Sequence, residues 1–320
     1  MKIGILGTAD IAFRRFLPAI SKCEGITYAG VASRTPESGR PFQETFGGKI
    51  YSSYDMLLED ASVEAVYVPL PPALHYEWGR KVLEAGKHLL MEKPFTTSLA
   101  ETEALLTLAM EKGLVAHENY MFLYHSQMTK IKELIASGQL GDIRLLRMAF
   151  GFPKRAVNDF RYSKALGGGA LLDCGGYPVR LALNLLGESA QVTQARLVQP
   201  RGYEVDLYGN AVLENTDGLC AQISFGMDNA YQCQLEVWGS KTILIAPRIF
   251  TAAPDFEPPL ILRSSTDERR IELEQDNQFL GSAEMFKKAT KDSSVREELR
   301  HHILKQSALV HIIQEKGVSK

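Results

Sequence analysis

The stretch KIGILGTADIA, residues 2–12, decides how the first half of this 320-residue chain is read. An apolar run of strand length passes without a linker into Gly7 and a short polar turn, and a helical pattern follows. In a dinucleotide-binding strand–turn–helix unit, one glycine makes the tight turn, a second admits the pyrophosphate, and a third lets helix pack on strand. Gly7, Ala9 and Ala12 fill those slots here. Alanine is common at the packing slot, whereas the Ala9 methyl stands where backbone should approach phosphate. Thr8, Ala9, Asp10 and Ile11 open the helix, and a helix N-terminus with unpaired N–H groups is an anion site. A tight turn with no ligand is the competing reading.

The rest of the first 120 residues keeps this rhythm. TYAGVAS (27–33), AVYVPL (65–70), KHLLMEK (87–93) and LVAHENY (114–120) read as strands. Amphipathic stretches such as PALHYEWGRKVLEAG and SLAETEALLTLAMEKG lie between them and end in glycine, as helices do. Continuous apolar strands alternating with helices imply a parallel sheet covered on both faces. The second strand ends in Ser33 and Arg34, with no carboxylate at its tip. An acid there would bind the ribose hydroxyls of NAD. A hydroxyl and a guanidinium suit a 2′-phosphate, which favours NADP.

After residue 140 the pattern changes. GDIRLLRMAFGF reads as a strand, 168–187 as a strong helix, and 190–275 as a series of short strands. Turn signals in ENTDGL and GMDNAY split three of these strands as antiparallel hairpins would. SSVREELRHHILKQSALVHIIQEKG reads as a closing amphipathic helix, capped by Ser293 or Ser294. The expected fold is therefore α/β. A Rossmann-type doubly wound parallel sheet takes residues 1–121, and an α+β domain on an open antiparallel sheet takes 122–320. The apolar alternation in CAQISFGM and CQLEVWGS implies a covered sheet face, and a second copy is the expected cover, giving a homo-oligomer.

Composition bounds the function. The chain is 45% hydrophobic and 23% charged, with a formal net charge of -2, which is ordinary globular composition without a basic footprint for nucleic acid. Its apolar runs are far shorter than the roughly 20 residues that span a bilayer, and MKIGILGTAD reaches glycine too soon for a signal peptide. The scattered cysteines Cys23, Cys174, Cys220 and Cys233 fit free thiols in a reducing cytoplasm. His301 and His302 have no carboxylate or cysteine at metal spacing, so no metal is assigned.

Two stretches carry the chemistry. LLMEKPFTT (89–97) ends an apolar strand on Glu92 and Lys93, and Pro94 cannot continue the ladder. In an open α/β sheet the C-terminal end of a strand is where ligands bind. LGGGALLDCGGYPVRLALNLLG (166–187) sets Asp173 and Tyr177 four apart, on one helix face. Gly175 and Gly176 lie between them, at up to about 1 kcal/mol each inside a helix. Glycines there make sense where a ligand or another backbone comes near.

GTADIA, MEKPF and GGGALLDCGGYP at these positions resemble the glucose–fructose oxidoreductase / inositol dehydrogenase / MocA family, over essentially the whole chain. The resemblance implies a nicotinamide oxidoreductase in which Lys93, Asp173 and Tyr177 form the catalytic set. AHENYMFLYHSQ (116–127), the stretch 225–254 that begins FGMDNAYQCQLEVWGSK, and the pair Arg14–Arg15 are similar to sugar 3-ketoreductases that act on nucleotide-linked 3-keto sugars. On this reading Lys93 lies between the nicotinamide ribose and the substrate oxygen. It lowers the pKa of Tyr177 from about 10, Tyr177 transfers the proton, and Asp173 orients Lys93. Cofactor contacts are expected from Gly7, Thr8, Ala9, Asp10, Ile11, Ser33, Arg34, Leu70, His75, Glu92, Lys93, Asn119 and Arg161. A structural hydrogen bond is the stronger reading of His75. Arg161, in DFRYS, either meets a phosphate or pairs at the surface.

The expected function is thus NADP-dependent reduction of a 3-keto sugar, nucleotide-linked, by a cytoplasmic enzyme. A dehydrogenase of a free aldose or trans-dihydrodiol is the alternative. A regulatory protein that binds NADP without turnover is a third.

Overall fold

In the computed structural model, which describes residues 1–317, six strands form one parallel sheet: β1 (Lys2–Leu6), β2 (Thr27–Ala32), β3 (Lys49–Tyr51), β4 (Ala65–Val68), β5 (His88–Met91) and β6 (Ala116–Glu118). Their order is β3-β2-β1-β4-β5-β6, so the winding reverses between β1 and β4, the place where such sheets bind ligands. β4 is buried along its whole length and β5 along all but its first residue, as befits strands covered on both faces. Helices α1 (Leu17–Ile20), α2 (Pro36–Phe46), α3 (Tyr54–Glu59), α4 (His75–Glu84) and α5 (Leu99–Glu111) connect them. Ser53 and Ser98 start α3 and α5 by accepting from the amides of Met56 and Glu101 at 3.1 and 3.3 Å. Leu57, Val66, Leu83, Leu89 and Leu105 are completely buried in the core they share.

The first compact unit is Met1–Tyr120 together with Phe279–Ser307. The sequence reading put all of 122–320 in the second domain, and the structure divides that segment. α8 (Gln278–Lys291) and α9 (Ser293–Gly317) explain the difference. Phe286 is fully buried beside His117, with ring centroids 6.0 Å apart, and Ile303 enters the core with Leu105 and Phe95. An amphipathic pattern tells which helix face is apolar, not which core will bury it. The start of α9 also differs from expectation: Asp292 Oδ1 accepts from the amides of Ser294 and Val295 at 3.0 and 3.3 Å.

The second unit comprises Met121–Gln278 and the segment from Ala308. It contains α6 (Ser126–Ala136), β7 (Ile143–Gly151), α7 (Gly176–Leu186), β8 (Gln191–Val198), β9 (Tyr208–Glu214), β10 (Cys220–Gly226), β11 (Gln232–Gly239), β12 (Ile243–Ala246), β13 (Pro259–Arg263) and β14 (Glu268–Glu272). The eight strands lie in the order β14-β13-β12-β11-β7-β10-β9-β8. ENTDGL does join an antiparallel pair, β9 and β10. GMDNAY does not: β7 lies between β10 and β11, parallel to the first and antiparallel to the second. A turn signal shows that the chain reverses; it cannot show that an earlier strand has inserted.

The apolar members of both alternating strands face inward. Ala221, Ile223 and Phe225 of β10 and Cys233, Leu235 and Val237 of β11 are buried, and α7 packs on β7 and β10. The alternation is therefore met by the chain's own helix. The other face carries a polar row, Gln222, Arg147 and Glu236 in register, with Arg147 3.2 Å from Glu236 and 5.2 Å over the Trp238 ring.

Candidate active site

Candidate site residues occur on both units. On the first unit, Gly7 follows β1 with φ of 86° and donates its amide to Ala32 O at 2.8 Å. A Cβ there would lie 2.8 Å from Leu70 Cδ2, so the packing of Leu70 over the turn, as well as the backbone angle, demands glycine. Leu70 thus closes the turn that Thr8, Ala9, Asp10 and Ile11 continue. Ala12 is fully buried, consistent with its packing slot, and opens a π-helical turn, Ala12–Phe16. Asp10 pairs with Arg14 at 2.7 Å on the surface. At the tip of β2, Ser33 is buried, its amide donates to Tyr51 O at 3.1 Å, and Arg34 is exposed. Thr35 and Ser38 share a hydrogen bond of 2.7 Å at the start of α2. Two further hydroxyls therefore stand beside Ser33 and Arg34. Only their folding into one helical turn reveals this.

Lys93 lies just past β5, and its peptide bond to Pro94 is cis. Three groups hold this loop. His75 is fully buried, with Nδ1 2.7 Å from Pro94 O and Nε2 2.7 Å from Leu70 O, so it ties the turn over Gly7 to the Lys93 loop. Glu92 turns inward and accepts from Tyr67 Oη at 2.6 Å and from Asn119 Nδ2 at 2.7 Å. Asn119 in turn accepts from the Ser282 hydroxyl at 2.8 Å. The Phe95 amide donates to the buried carboxylate of Glu118 at 2.8 Å, a contact between residues 23 apart that the sequence does not display. Burial pushes Glu92 up from the usual carboxylate range, against the hydrogen bonds from Tyr67 and Asn119 and the charge of Lys93. Glu92 and Asn119 thus buttress the loop from inside, while Lys93 is partly exposed.

Burial lowers His75 to about 4, against the pull of the two carbonyls toward the charged ring. Below pH 6.5, its ordinary value, the unfolded chain takes up a proton that the folded form refuses until about pH 4. This contribution to stability is therefore complete above pH 6.5 and is lost as the pH falls toward 4, by on the order of 3 kcal/mol. Urea unfolding of His75→Gln between pH 7 and 4 is expected to show a correspondingly shallower decline than the parent. An identical decline would assign the pH dependence to other groups.

On the second unit, Asp173 sits in a π-helical turn, Leu171–Gly175, that runs directly into α7 and Tyr177. Of the two glycines expected to admit a neighbour, Gly175 does so: a Cβ there would lie 3.0 Å from the Phe225 ring of β10. Asp206 anchors the helix start, accepting from the Leu171 amide at 2.8 Å. Tyr177 is buried among aromatic rings, with centroids 4.9 Å from Phe150, 5.8 Å from Phe122 and 5.8 Å from Phe250, and its hydroxyl lies 3.9 Å from Met121 Sδ. Such packing fixes the ring's position. Arg161 Nε donates to Asp173 Oδ2 at 2.8 Å, and its Nη1 donates to Asp159 Oδ1 at 3.1 Å. Burial opposes the guanidinium charge, but the two carboxylates outweigh it and raise Arg161 above its ordinary value. Arg161 therefore helps to orient Asp173. The backbone supports the pair: Gly169 donates to Arg161 O and Gly168 to Ser163 O, each at 2.9 Å.

Among the described residues no cluster of three His, Cys, Asp or Glu side chains could hold a metal ion, and no helix is long and apolar enough to cross a membrane.

Comparison with known proteins agrees with this architecture. The sequence model of an oxidoreductase family with an NAD-binding Rossmann fold, GFO/IDH/MocA, matches residues 1–120, and that of the GFO/IDH/MocA C-terminal domain matches 128–245. The dTDP-3,4-didehydro-2,6-dideoxy-α-D-glucose 3-reductase of Streptomyces violaceoruber is 44% identical over 273 residues, 85% of this chain and 80% of that one. The D-xylose 1-dehydrogenase (NADP(+)) 2 of Haloferax volcanii is 35% identical over 230 residues, 71% and 70% of the two chains. A 3-ketoreductase from Actinomadura kijaniata, solved with NADP and TDP-benzene, superposes with a TM-score of 0.95 at 37% identity, covering 99% of this chain and 97% of that one.

Proposed function

This chain belongs to the GFO/IDH/MocA oxidoreductase family, and from that premise we propose that it reduces the 3-keto group of a dTDP-linked deoxysugar, with NADPH as its cofactor. The observation that carries the reading is the Asp173–Tyr177 helix. It offers one hydroxyl held rigidly by aromatic rings beside one carboxylate pinned by Arg161, in a chain 44% identical to a reductase of that class. NADPH supplies the hydride when bound. The amides that follow Gly7 suit its pyrophosphate, and Ser33 and Arg34, without a carboxylate at the strand tip, suit a 2′-phosphate.

The residues of the chain handle the proton and the charge. Tyr177 gives its hydroxyl proton to the ketone oxygen as that oxygen gains electrons, so the product is an alcohol, and solvent restores the proton. Lys93 supplies the positive charge that favours an anionic oxygen, on the substrate or on the tyrosine. His75, Glu92 and Asn119 hold the Lys93 loop, and Arg161 holds Asp173. We also place the protein in the cytoplasm as a homo-oligomer. Its subunits would meet over the open face of the eight-stranded sheet, an arrangement that molar mass in solution tests.

The deciding experiment follows NADPH absorbance with dTDP-linked 3-keto-deoxysugars, and NADP reduction with free aldoses and diols. Oxidation of NADPH confined to the nucleotide-linked ketones is the expected result. Turnover of free aldose alone would replace the proposal with a dehydrogenase, and tight NADPH binding without turnover would make the protein a sensor.

A further inference from the structure

A buried line of hydrogen bonds runs through the first unit from helix α8 to the loop of Lys93. Ser282 of α8 is 2% exposed, and its hydroxyl donates to Asn119 Oδ1 at 2.8 Å, across 163 residues of sequence. His117, fully buried, places its Nε2 2.9 Å from the same Ser282 oxygen. Asn119 Nδ2 donates to Glu92 Oε1 at 2.7 Å, and Tyr67 Oη donates to that oxygen at 2.6 Å. The backbone follows the same route: the Glu92 amide donates to Val68 O at 3.2 Å, and the Asn119 amide to Met91 O at 2.9 Å. The neighbouring ends of β4, β5 and β6 are thus joined one residue before Lys93.

Chemistry fixes the direction of these bonds. A serine hydroxyl has a single proton to give. Ser282 gives it to a carbonyl oxygen, which can only accept, so the proton between His117 and Ser282 stands on His117 Nε2. The Asn119 amide is then held one way round, its oxygen toward Ser282 and its NH2 toward Glu92. The reversed amide would set its oxygen against the Glu92 carboxylate, acceptor against acceptor. Glu92 depends on this donor, because burial opposes its charge while Tyr67 and Asn119 favour it. Such chains strengthen bond by bond, and a broken link leaves buried polar groups unpaired.

Resting on the reading in which Lys93 serves the reacting oxygen, we propose that Ser282 is a positioning residue: it locks the Asn119 amide and, through Glu92, holds the Lys93 loop. The test pairs hydrogen exchange with steady-state kinetics on the NADP-loaded protein. In Ser282→Ala the backbone amides within 89–97 should exchange severalfold faster. At saturating NADPH, kcat for sugar turnover should fall about tenfold to a hundredfold, with KM and NADPH affinity near those of the parent. Asn119→Ala should lower kcat as well, and the double variant should be no slower than Asn119→Ala alone, since Ser282 acts through that amide. Thr290→Ala is the control. Its hydroxyl, on the same helix, bonds back to Lys287 O at 2.7 Å, so both readings should match the parent. Ser282→Cys keeps the volume and a weak donor, and should fall between the parent and Ser282→Ala; it carries the test if the alanine variant does not fold. Unchanged exchange in the Ser282 variants, or additive losses of kcat in the double variant, would overturn the inference. A parent that turns over no sugar would overturn the reading of the site instead, and the exchange result would still decide whether Ser282 holds the loop.

Discussion

Tyr177→Phe is expected to lower kcat by about 10²–10⁴-fold, the range that a positioned proton donor contributes, with little change in NADPH affinity. The substitution removes one oxygen and keeps the ring. Phenylalanine therefore preserves the contacts with Phe150, Phe122 and Phe250 and leaves the buried packing intact. The hydroxyl's contact with the Met121 thioether at 3.9 Å is weak, so losing that contact costs little stability. A melting temperature close to that of the parent, joined to the collapse of kcat, would separate chemistry from folding. Full activity in the variant would remove Tyr177 from the mechanism.

Gly7→Ala should act in the opposite way, through the backbone and the cofactor. At φ of 86° a side chain meets its own carbonyl, at about 1–2 kcal/mol. The new methyl would also press on Leu70 at 2.8 Å, an overpacking that adds about 1–3 kcal/mol. A loss of roughly 2–5 kcal/mol in urea unfolding is expected, together with weaker NADPH binding by fluorescence. Gly86→Ala is the control. Its φ is also positive, at 73°, but nothing lies within 4 Å of a Cβ there, so it should suffer the backbone penalty alone. Equal losses in the two variants would show that the Leu70 contact is immaterial.

The residues differ in how much of their role the sequence discloses. β1, β2, β4, β5 and β6 were legible because each is a continuous apolar run closed by turn residues, a signal carried within the strand itself. β3 was not, since KIY lies between Gly47–Gly48 and Ser52–Ser53 with no apolar run on either side. The insertion of β7 between β10 and β11 escaped notice for a different reason: strand order is a property of pairs distant in sequence. At the candidate site, Lys93, Asp173 and Tyr177 stood out through their motifs. Their supports did not. The clasp of His75 on Pro94 and Leu70, the bond from Asn119 to Glu92 and the ion pair of Arg161 with Asp173 join residues 5 to 27 apart, and no spacing rule marks such partners in advance. Arg161 in particular reads as a loop cation until the fold brings it to a carboxylate.

The assignment of Phe279–Ser307 to the first unit bears on how the protein is born. A ribosome releases the chain from its N-terminus, so β1 to β6 emerge before Phe286 and Ile303, which complete their core and lie beyond the bulk of the second unit in the chain. Between those two moments the whole of Met121–Gln278 must leave the tunnel. The nascent parallel sheet therefore waits with part of its apolar surface unmet, during the interval when chaperones compete for such surface. In this chain the unit that begins first is completed only after most of the other has been made.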